Sequence, residues 1–339
     1  MEQAQLSSTH RPRGPGHITV RDGKAGLPYS KGLMATSVMA AGLPPRRAYD
    51  VAEVVEGRLR ADGTDAVSTA DLRELAAQVI EEEVGPRYAQ NYRCWQRAQA
   101  RSVPLIVFIG GATGVGKSTI ATTVANRLGI VRIVSTDAVR EVMRGIFTRE
   151  MMPILYASSF DTPSLLPDLH TEADPVVAGY RQQVRAVSVG VGKIVRRAVL
   201  EGTDLIVEGA HAVPGFLDLP AADEAIVASM VVTVDDEHAH RSHFAARAQE
   251  TRNRGDRRYL DSLHQIRRIQ DHIRELAAGH GVSVVSSYSL DATVSRVTEL
   301  VVAAATDVPQ PPPGPRPPPR PPVHAPATTR PGGAGVGSP

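Results

Sequence analysis

Cysteine is nearly absent from this chain: its 339 residues include one, Cys94. A single thiol excludes an intramolecular disulfide framework and a zinc site built from several cysteines. Aromatic residues are sparse as well, at 4%, with Trp95 the one tryptophan. No apolar run approaches the length of a membrane span, and the first residues, MEQAQLSSTHRPRGPG, lack the apolar stretch of a signal peptide. The cytoplasm is therefore the expected compartment. An excess of one charge is missing too. With 38 basic against 36 acidic residues, the formal net charge is +2, and no global field draws the chain onto nucleic acid or a membrane surface. What is present, 42% apolar and 22% charged residues, is the composition of an ordinary globular protein. The length suffices for one sizeable core plus a smaller module.

The ends of the chain are expected to be disordered. Residues 1–16 are polar and contain Pro and Gly. Residues 306–339 hold 13 of the 26 prolines and show no apolar periodicity. Such a tail favours extended polyproline conformations and builds no core. It has the composition of a ligand for an aromatic-lined groove, although a solvated tail is the simpler reading. Self-association into a homo-oligomer is left open.

Two blocks lie between. Residues 17–98 begin with a hairpin-like stretch, HITVRDGKAGLPYS, with a turn signal at Asp22-Gly23. Apolar spacing then predicts helices over Lys31–Ala41, Ala48–Arg60 and Thr69–Glu82. The second block, residues 99–305, alternates short apolar runs with helical patterns. Strands are expected at Leu105–Ile109, Ile130–Val134, Asp204–Val207, Ile226–Val234 and Val282–Val285. Helices are expected at Lys117–Leu128, closed by Gly129, and at Tyr180–Leu200. This alternation predicts an α/β fold: a P-loop NTPase-type parallel sheet flanked by helices, preceded by a small, mainly helical domain.

The segment Gly111-Ala112-Thr113-Gly114-Val115-Gly116-Lys117-Ser118 satisfies G-x-x-x-x-G-K-[ST] at every required position, between an apolar strand and an amphipathic helix. Glycines let the backbone turn tightly so that its N–H groups converge on phosphate oxygens, and the helix N-terminus adds partial positive charge. The expected ATP site therefore runs from Gly111 through Thr119. Lys117 is expected at the β- and γ-phosphates and Ser118 at Mg²⁺. A Gly-rich turn matching by chance would not bring the strand and helix with it.

Around this loop the topology predicts further site residues. Asp137 follows the second strand and is expected at the crevice where parallel strands end. There it would orient or deprotonate an acceptor hydroxyl, or hold magnesium through water. Arg140 and Arg144, one turn apart, are candidates to grip an acceptor's phosphate or carboxylate. The simpler alternative makes Asp137 a helix cap and the arginines a solvated face. Glu208, just past an apolar strand, resembles the acidic residue that holds magnesium beside a P-loop serine. His211 follows as a substrate contact or a packed side chain. His238, His240 and His243 trail Asp235-Asp236-Glu237; nothing completes a metal site there, and a helix start with acidic residues in its first turn is the simpler reading. Next come Arg247, Arg252, Arg254, Arg257 and Arg258; Arg247, Arg257 and Arg258 are taken as lid residues closing over the phosphoryl group, with a solvated basic face as the equal alternative, since spacing does not tell which of the five point inward.

Several stretches are more specific than the nucleotide loop. LPYSKGLMATSVMAAG, FIGGATGVGKSTIA, STDAVREVMR, IVEGAHAVPGF and YLDSLHQIRRIQ together resemble the 2-phosphoglycerate kinases of methanogenic archaea, over residues 17–305. The first block, opening on ITVRDG, is similar to an ATP-cone, a small helical nucleotide-sensing module. The resemblance implies ATP-dependent phosphorylation of 2-phosphoglycerate at its free hydroxyl to give 2,3-bisphosphoglycerate, with ATP and Mg²⁺ as the required small molecules. An acceptor bearing both a phosphate and a carboxylate suits an arginine-rich crevice. A kinase for another phosphorylated or carboxylated acceptor, or an ATP-binding regulatory protein, are the alternatives.

Overall fold

The computed structural model describes residues 18–22, 25–164, 172–251 and 257–306, with backbone alone at 22, 25, 245–251 and 257. The opening stretch forms a hairpin in which β1 (Thr19–Asp22) pairs antiparallel with β2 (Ala25–Pro28), Asp22 opposite Ala25. The turn residue Gly23 and its neighbour Lys24 lie outside the described residues. Helix α1 (Lys31–Met39) is capped by Ser30, and α2 (Pro45–Ala61) opens with proline, whose missing N–H costs nothing in a first turn. Strand β3 (Ala66–Ser68) runs parallel to β1, completing a small sheet of order β2-β1-β3. Ser68 caps α3 (Thr69–Glu83) by accepting the Asp71 N–H at 3.0 Å, and α4 (Pro86–Ala98) follows. Val38, Val55, Ala76, Ile80 and Tyr92 close a core within these elements.

The sequence patterns did not predict β3 or α4, for different reasons. Three residues are too few to show a period. The buried stripe of α4, Ala89, Tyr92, Trp95 and Ala98, is half alanine and is diluted by arginine and glutamine.

The larger sheet grows around β4 (Leu105–Gly110), every residue of which is buried. After it come α5 (Lys117–Leu128), β5 (Ile133–Ser135), α6 (Thr136–Ile146), α7 (Pro175–Leu200) and β6 (Leu205–Gly209). Then follow β7 (Ile226–Thr233), α8 (Glu237–Thr251), α9 (Arg257–Asp261), α10 (Leu263–Gly279), β8 (Ser283–Ser286) and α11 (Leu290–Thr306). The order is β5-β6-β4-β7-β8, with all pairings parallel. A continuous apolar run such as Leu105–Ile109 suits this central position, because helices cover both faces. The strand expected at Ile130–Val134 starts later, at Ile133. Gly129 (φ +70°) closes α5, and the Ile130 N–H still bonds back to Ala125 O at 2.9 Å. Asp204 fixes where two strands begin: it pairs with Arg101 and accepts the Leu105 N–H at 2.8 Å.

The chain returns repeatedly to the helix behind the P-loop. Trp95 and Ala98 of α4 belong to the same buried cluster as β4, α5 and α11. Arg127 of α5 is buried and donates to Gly42 O at 3.2 Å, the carbonyl that also accepts from Ser295 Oγ at 2.9 Å. Burial holds the Arg127 pKa below its ordinary value. No helix among the described residues is long and apolar enough to cross a membrane. Residues 307–339, the proline-rich tail, lie outside the described residues.

Trp95 is 2% exposed at this junction and is the only indole in the chain. Its emission is expected at the wavelength of a buried indole, shifting red in the same urea transition that removes the helical circular dichroism. Two separated transitions would show that the helical block unfolds independently of the sheet.

Candidate active site

Parallel strands that end together create the site. In the β4–β6 register, Ile109 lies opposite Glu208 and Gly110 opposite Gly209, while Ser135 of β5 lies opposite Glu208 from the other side. The chain passes from β4 to β5 and β6 on one side and then crosses from β6 to β7 and β8 on the other. That reversal opens a crevice at the carboxyl ends of the strands. The loop Gly111–Gly116 leaves β4 directly into it, and α5 starts at Lys117. The first-turn N–H groups of α5 have no intrahelical partners, so the loop ends on a ready anion site.

Gly114 is required here twice over. Its φ is +86°, and a Cβ would run into the ring of Phe244 from α8. Lys117 is 9% exposed, and its ammonium donates to Ala112 O at 2.7 Å. Ser118 Oγ donates to Glu208 Oε1 at 3.0 Å, tying the end of the loop to the end of β6. Glu208 is buried.

Across the crevice, Ser135 caps α6 by accepting the Asp137 N–H at 3.2 Å. The capping role that the sequence gave Asp137 as an alternative thus falls to Ser135. Asp137 itself has a side chain 64% exposed, lies 3.5 Å from the Arg140 guanidinium, and lines a cleft of about 750 Å³. The same cleft is lined by Lys117, Ser118, Glu208, His243 and Tyr288.

The other sequence-selected residues are committed elsewhere. Arg140 donates to Ala157 O at 2.8 Å. Arg144 pairs with Glu141 at 2.7 Å and lies 4.7 Å from the centroid of the Tyr156 ring. Neither lines the cleft. Of the lid arginines, Arg258 bonds Ser158, pairs with Asp161 at 3.4 Å and covers the Phe160 ring at 5.5 Å. Arg252 and Arg254, and the side chains of Arg247 and Arg257, lie outside the described residues. No group of three or more His, Cys, Asp or Glu side chains among the described residues is arranged to hold a metal ion, the His238–His243 run included.

His211, expected at the substrate or packed, is fully buried behind the site. Its hydrogen bonds fix its tautomer. Gln183 Nε2 donates to Ile154 O at 2.7 Å and Ala157 O at 3.0 Å, which leaves Gln183 Oε1 to accept from His211 Nε2–H at 3.0 Å. His211 Nδ1 is then the acceptor for the Thr136 hydroxyl, also at 3.0 Å. Thr136 reaches it by occupying the space a Cβ on Gly209 (φ +145°) would need. With both nitrogens engaged by protein, the ring orients the start of α6 and has none left for a ligand. The nearest sequence signal for this chain of bonds was His211 itself; Gln183 and Thr136 are ordinary residues until the fold buries them together.

Burial pushes the His211 pKa down from 6.5 to about 4; Asp137 opposes the shift, and Arg140 and Lys117 reinforce it. Between those values the unfolded chain binds more protons than the folded one. The His211 contribution to stability is therefore complete above pH 6.5 and falls as the pH drops towards 4. The loss at pH 4 is on the order of 3 kcal/mol. Urea midpoints across this range should show a steeper decline for wild type than for His211→Gln, and parallel curves would contradict the assignment.

Comparison with known proteins places relatives along most of the chain. It is 38% identical over 272 residues to the 2-phosphoglycerate kinase of Methanothermobacter thermautotrophicus, covering 80% of this chain and 89% of that one. The 2-phosphoglycerate kinases of Thermococcus kodakarensis and Methanopyrus kandleri are 38% and 36% identical, covering 83% and 84% of this chain and 94% and 86% of theirs. No family model matches the chain. Among solved structures, shikimate kinase from Acinetobacter baumannii in complex with shikimate overlaps at a TM-score of 0.34 and 15% identity, over 61% of this chain and 97% of that one.

Proposed function

The chain belongs to the 2-phosphoglycerate kinase family, and from that premise we propose that it transfers the γ-phosphoryl group of ATP to the free hydroxyl of 2-phosphoglycerate, releasing 2,3-bisphosphoglycerate and ADP. The observation that carries this reading is the extent of the likeness: 38% identity over 272 residues is longer than either block alone. It is supported by a nucleotide loop and two carboxylates, Asp137 and Glu208, lining one cleft. A protein that only senses ATP, or a kinase for a different acceptor, is not favoured by relatives that share one name.

In the proposed mechanism the N–H groups of Gly111–Thr119 and the Lys117 ammonium hold the polyphosphate. Asp137 accepts the proton of the acceptor hydroxyl as its oxygen bonds to the γ-phosphorus and the bond to the β–γ bridging oxygen breaks. ADP leaves with that bridging oxygen. Arg140, beside Asp137, is assigned to orient this carboxylate and to attract the anionic acceptor. Arg144, held by Glu141 and the Tyr156 ring away from the cleft, would have to leave those partners to reach the acceptor, and the lid arginines Arg247, Arg257 and Arg258 are assigned to closure.

The residues present fit a hard divalent cation. Ser118 and Glu208 offer a hydroxyl and a carboxylate oxygen 3.0 Å apart, the serine exposed to the cleft and the carboxylate buried beside it, and oxygen donors are what magnesium prefers. Bound there, magnesium would neutralise charge on the β- and γ-phosphates. We assign residues 17–98 and 99–305 to two domains, a division supported by an apolar core that the first block builds from residues between Ile18 and Tyr92, with Ala40, Trp95 and Ala98 joining the core of the larger sheet.

Coupled ADP release in the presence of 2-phosphoglycerate tests these roles. Lys117→Ala is expected to lower turnover on the order of 10²–10³-fold. Asp137→Asn is expected to lower kcat by about 10²-fold or more while leaving the KM for ATP within about twofold. Glu208→Gln should raise the magnesium concentration required for half-maximal rate. An Asp137→Asn enzyme with wild-type kcat would remove that residue from the chemistry.

A further inference from the structure

Two histidines on α8 reach the backbone of the nucleotide loop, and neither is explained by the roles above. His240 Nε2 lies 2.9 Å from Thr113 O, and His243 Nδ1 lies 3.0 Å from Gly114 O. Carbonyl oxygens only accept, so each nitrogen carries a proton and donates it. The peptide unit is planar and trans, so the C=O of one residue and the N–H of the next point in opposite directions. Drawing the Thr113 and Gly114 carbonyls towards α8 therefore turns the N–H groups of Gly114 and Val115 away from it.

The contact is built rather than incidental. His240 is fully buried, and its Nδ1 has no partner among the described residues, so the Thr113 carbonyl is the polar contact that sets the ring. Phe244 stacks on His240 at 5.3 Å and 20°, and fills the space beside Gly114 that a Cβ would need. Tyr259 of α9 stacks on Phe244 at 5.5 Å and 4°, and meets Phe160 edge-on at 5.7 Å. The start of α8 is itself held. Asp236 accepts the Ala239 N–H at 3.0 Å, and Gln270 bonds both the N–H and the C=O of Val234. A loop braced in this way keeps its peptide planes in one orientation before any ligand arrives.

We propose that His240 and His243 are positioning residues that preset the 113–114 and 114–115 peptide planes so that the Gly114 and Val115 N–H groups present to the nucleotide polyphosphate. The inference rests on the ATP-dependent kinase reading and adds to it a pair of side chains acting through the loop backbone. Phe244 of α8 meets Tyr259 of α9, and Tyr259 and Arg258 meet Phe160 and Ser158, so the same aromatic stack joins α8 to the 158–161 segment.

The test is titration of the full-length protein with ATP and magnesium, with KM measured separately for ATP and 2-phosphoglycerate. His243 is exposed, so His243→Ala should fold normally and bind ATP about three- to tenfold more weakly. His240→Leu should weaken ATP binding by at least as much. His240→Gln, which keeps an N–H donor on the side chain, should recover most of the affinity. The KM for 2-phosphoglycerate should stay within about twofold in all three. Variants that bind ATP as wild type does, or that lose both substrates equally, would overturn the brace while leaving the kinase reading intact. Wild type that neither binds ATP nor turns over 2-phosphoglycerate would overturn both. If His240→Leu does not fold, the His243→Ala titration decides.

Discussion

The pairing of β4 with β6 is the constraint on which the site depends. Gly110 and Gly209 lie opposite one another at the ends of these two strands, and both chains turn immediately beyond that row. The turn from β4 becomes the nucleotide loop, and β6 ends on Glu208 and Gly209. A shift of one residue in this register would separate Ser118 from Glu208, which now meet at 3.0 Å, and would reverse which sheet face each β6 side chain occupies. Buried strands resist such a shift because every residue of β4 and β6 is packed. The hydrophobic sheet therefore sets the spacing of the polar groups at its edge.

Behind that edge a second layer of interactions limits how the groups can move. Thr136, His211 and Gln183 form one hydrogen-bonded chain in a space without solvent, ending on the carbonyls of Ile154 and Ala157. Arg140 adds a bond to the same Ala157 carbonyl from the α6 side. Asp137 sits one residue after Thr136, so the carboxylate that faces the cleft stands on a helix start fixed from below. On the opposite bank His240, His243 and Phe244 hold the loop from the side. The cleft is thus braced on both banks by histidines that do not themselves carry the chemistry, the arrangement expected where reacting groups must keep sub-ångström positions.

Much of this was legible in the residues, and the parts that were not have a common cause. The nucleotide loop, Asp137 and Glu208 could be located because each follows an apolar run, and a parallel sheet collects the ends of such runs at one place. His211 and the histidines of α8 were harder. Sequence shows that an imidazole is near a strand end or a helix start, but not which carbonyl it faces. His240 and His243 are three residues apart, which puts them on one helix face, yet the partner on that face is a backbone about 130 residues distant. Gln183 was silent for the same reason: it lies within a long helix, and only tertiary packing makes it polar and buried at once. Helix α4 was missed because alanine and tyrosine make a faint apolar stripe, although Trp95 on that stripe seals the helical block to the sheet.

The central claim is a transfer of phosphorus from ATP to the hydroxyl of 2-phosphoglycerate, and phosphorus magnetic resonance observes it directly. With purified protein, ATP, magnesium and 2-phosphoglycerate, a second phosphomonoester signal should grow, coupled to the terminal methylene protons, as the γ-phosphate signal declines in equal amount. ATP that stays intact, or that loses its γ-phosphate only to inorganic phosphate while 2-phosphoglycerate is unchanged, would contradict it.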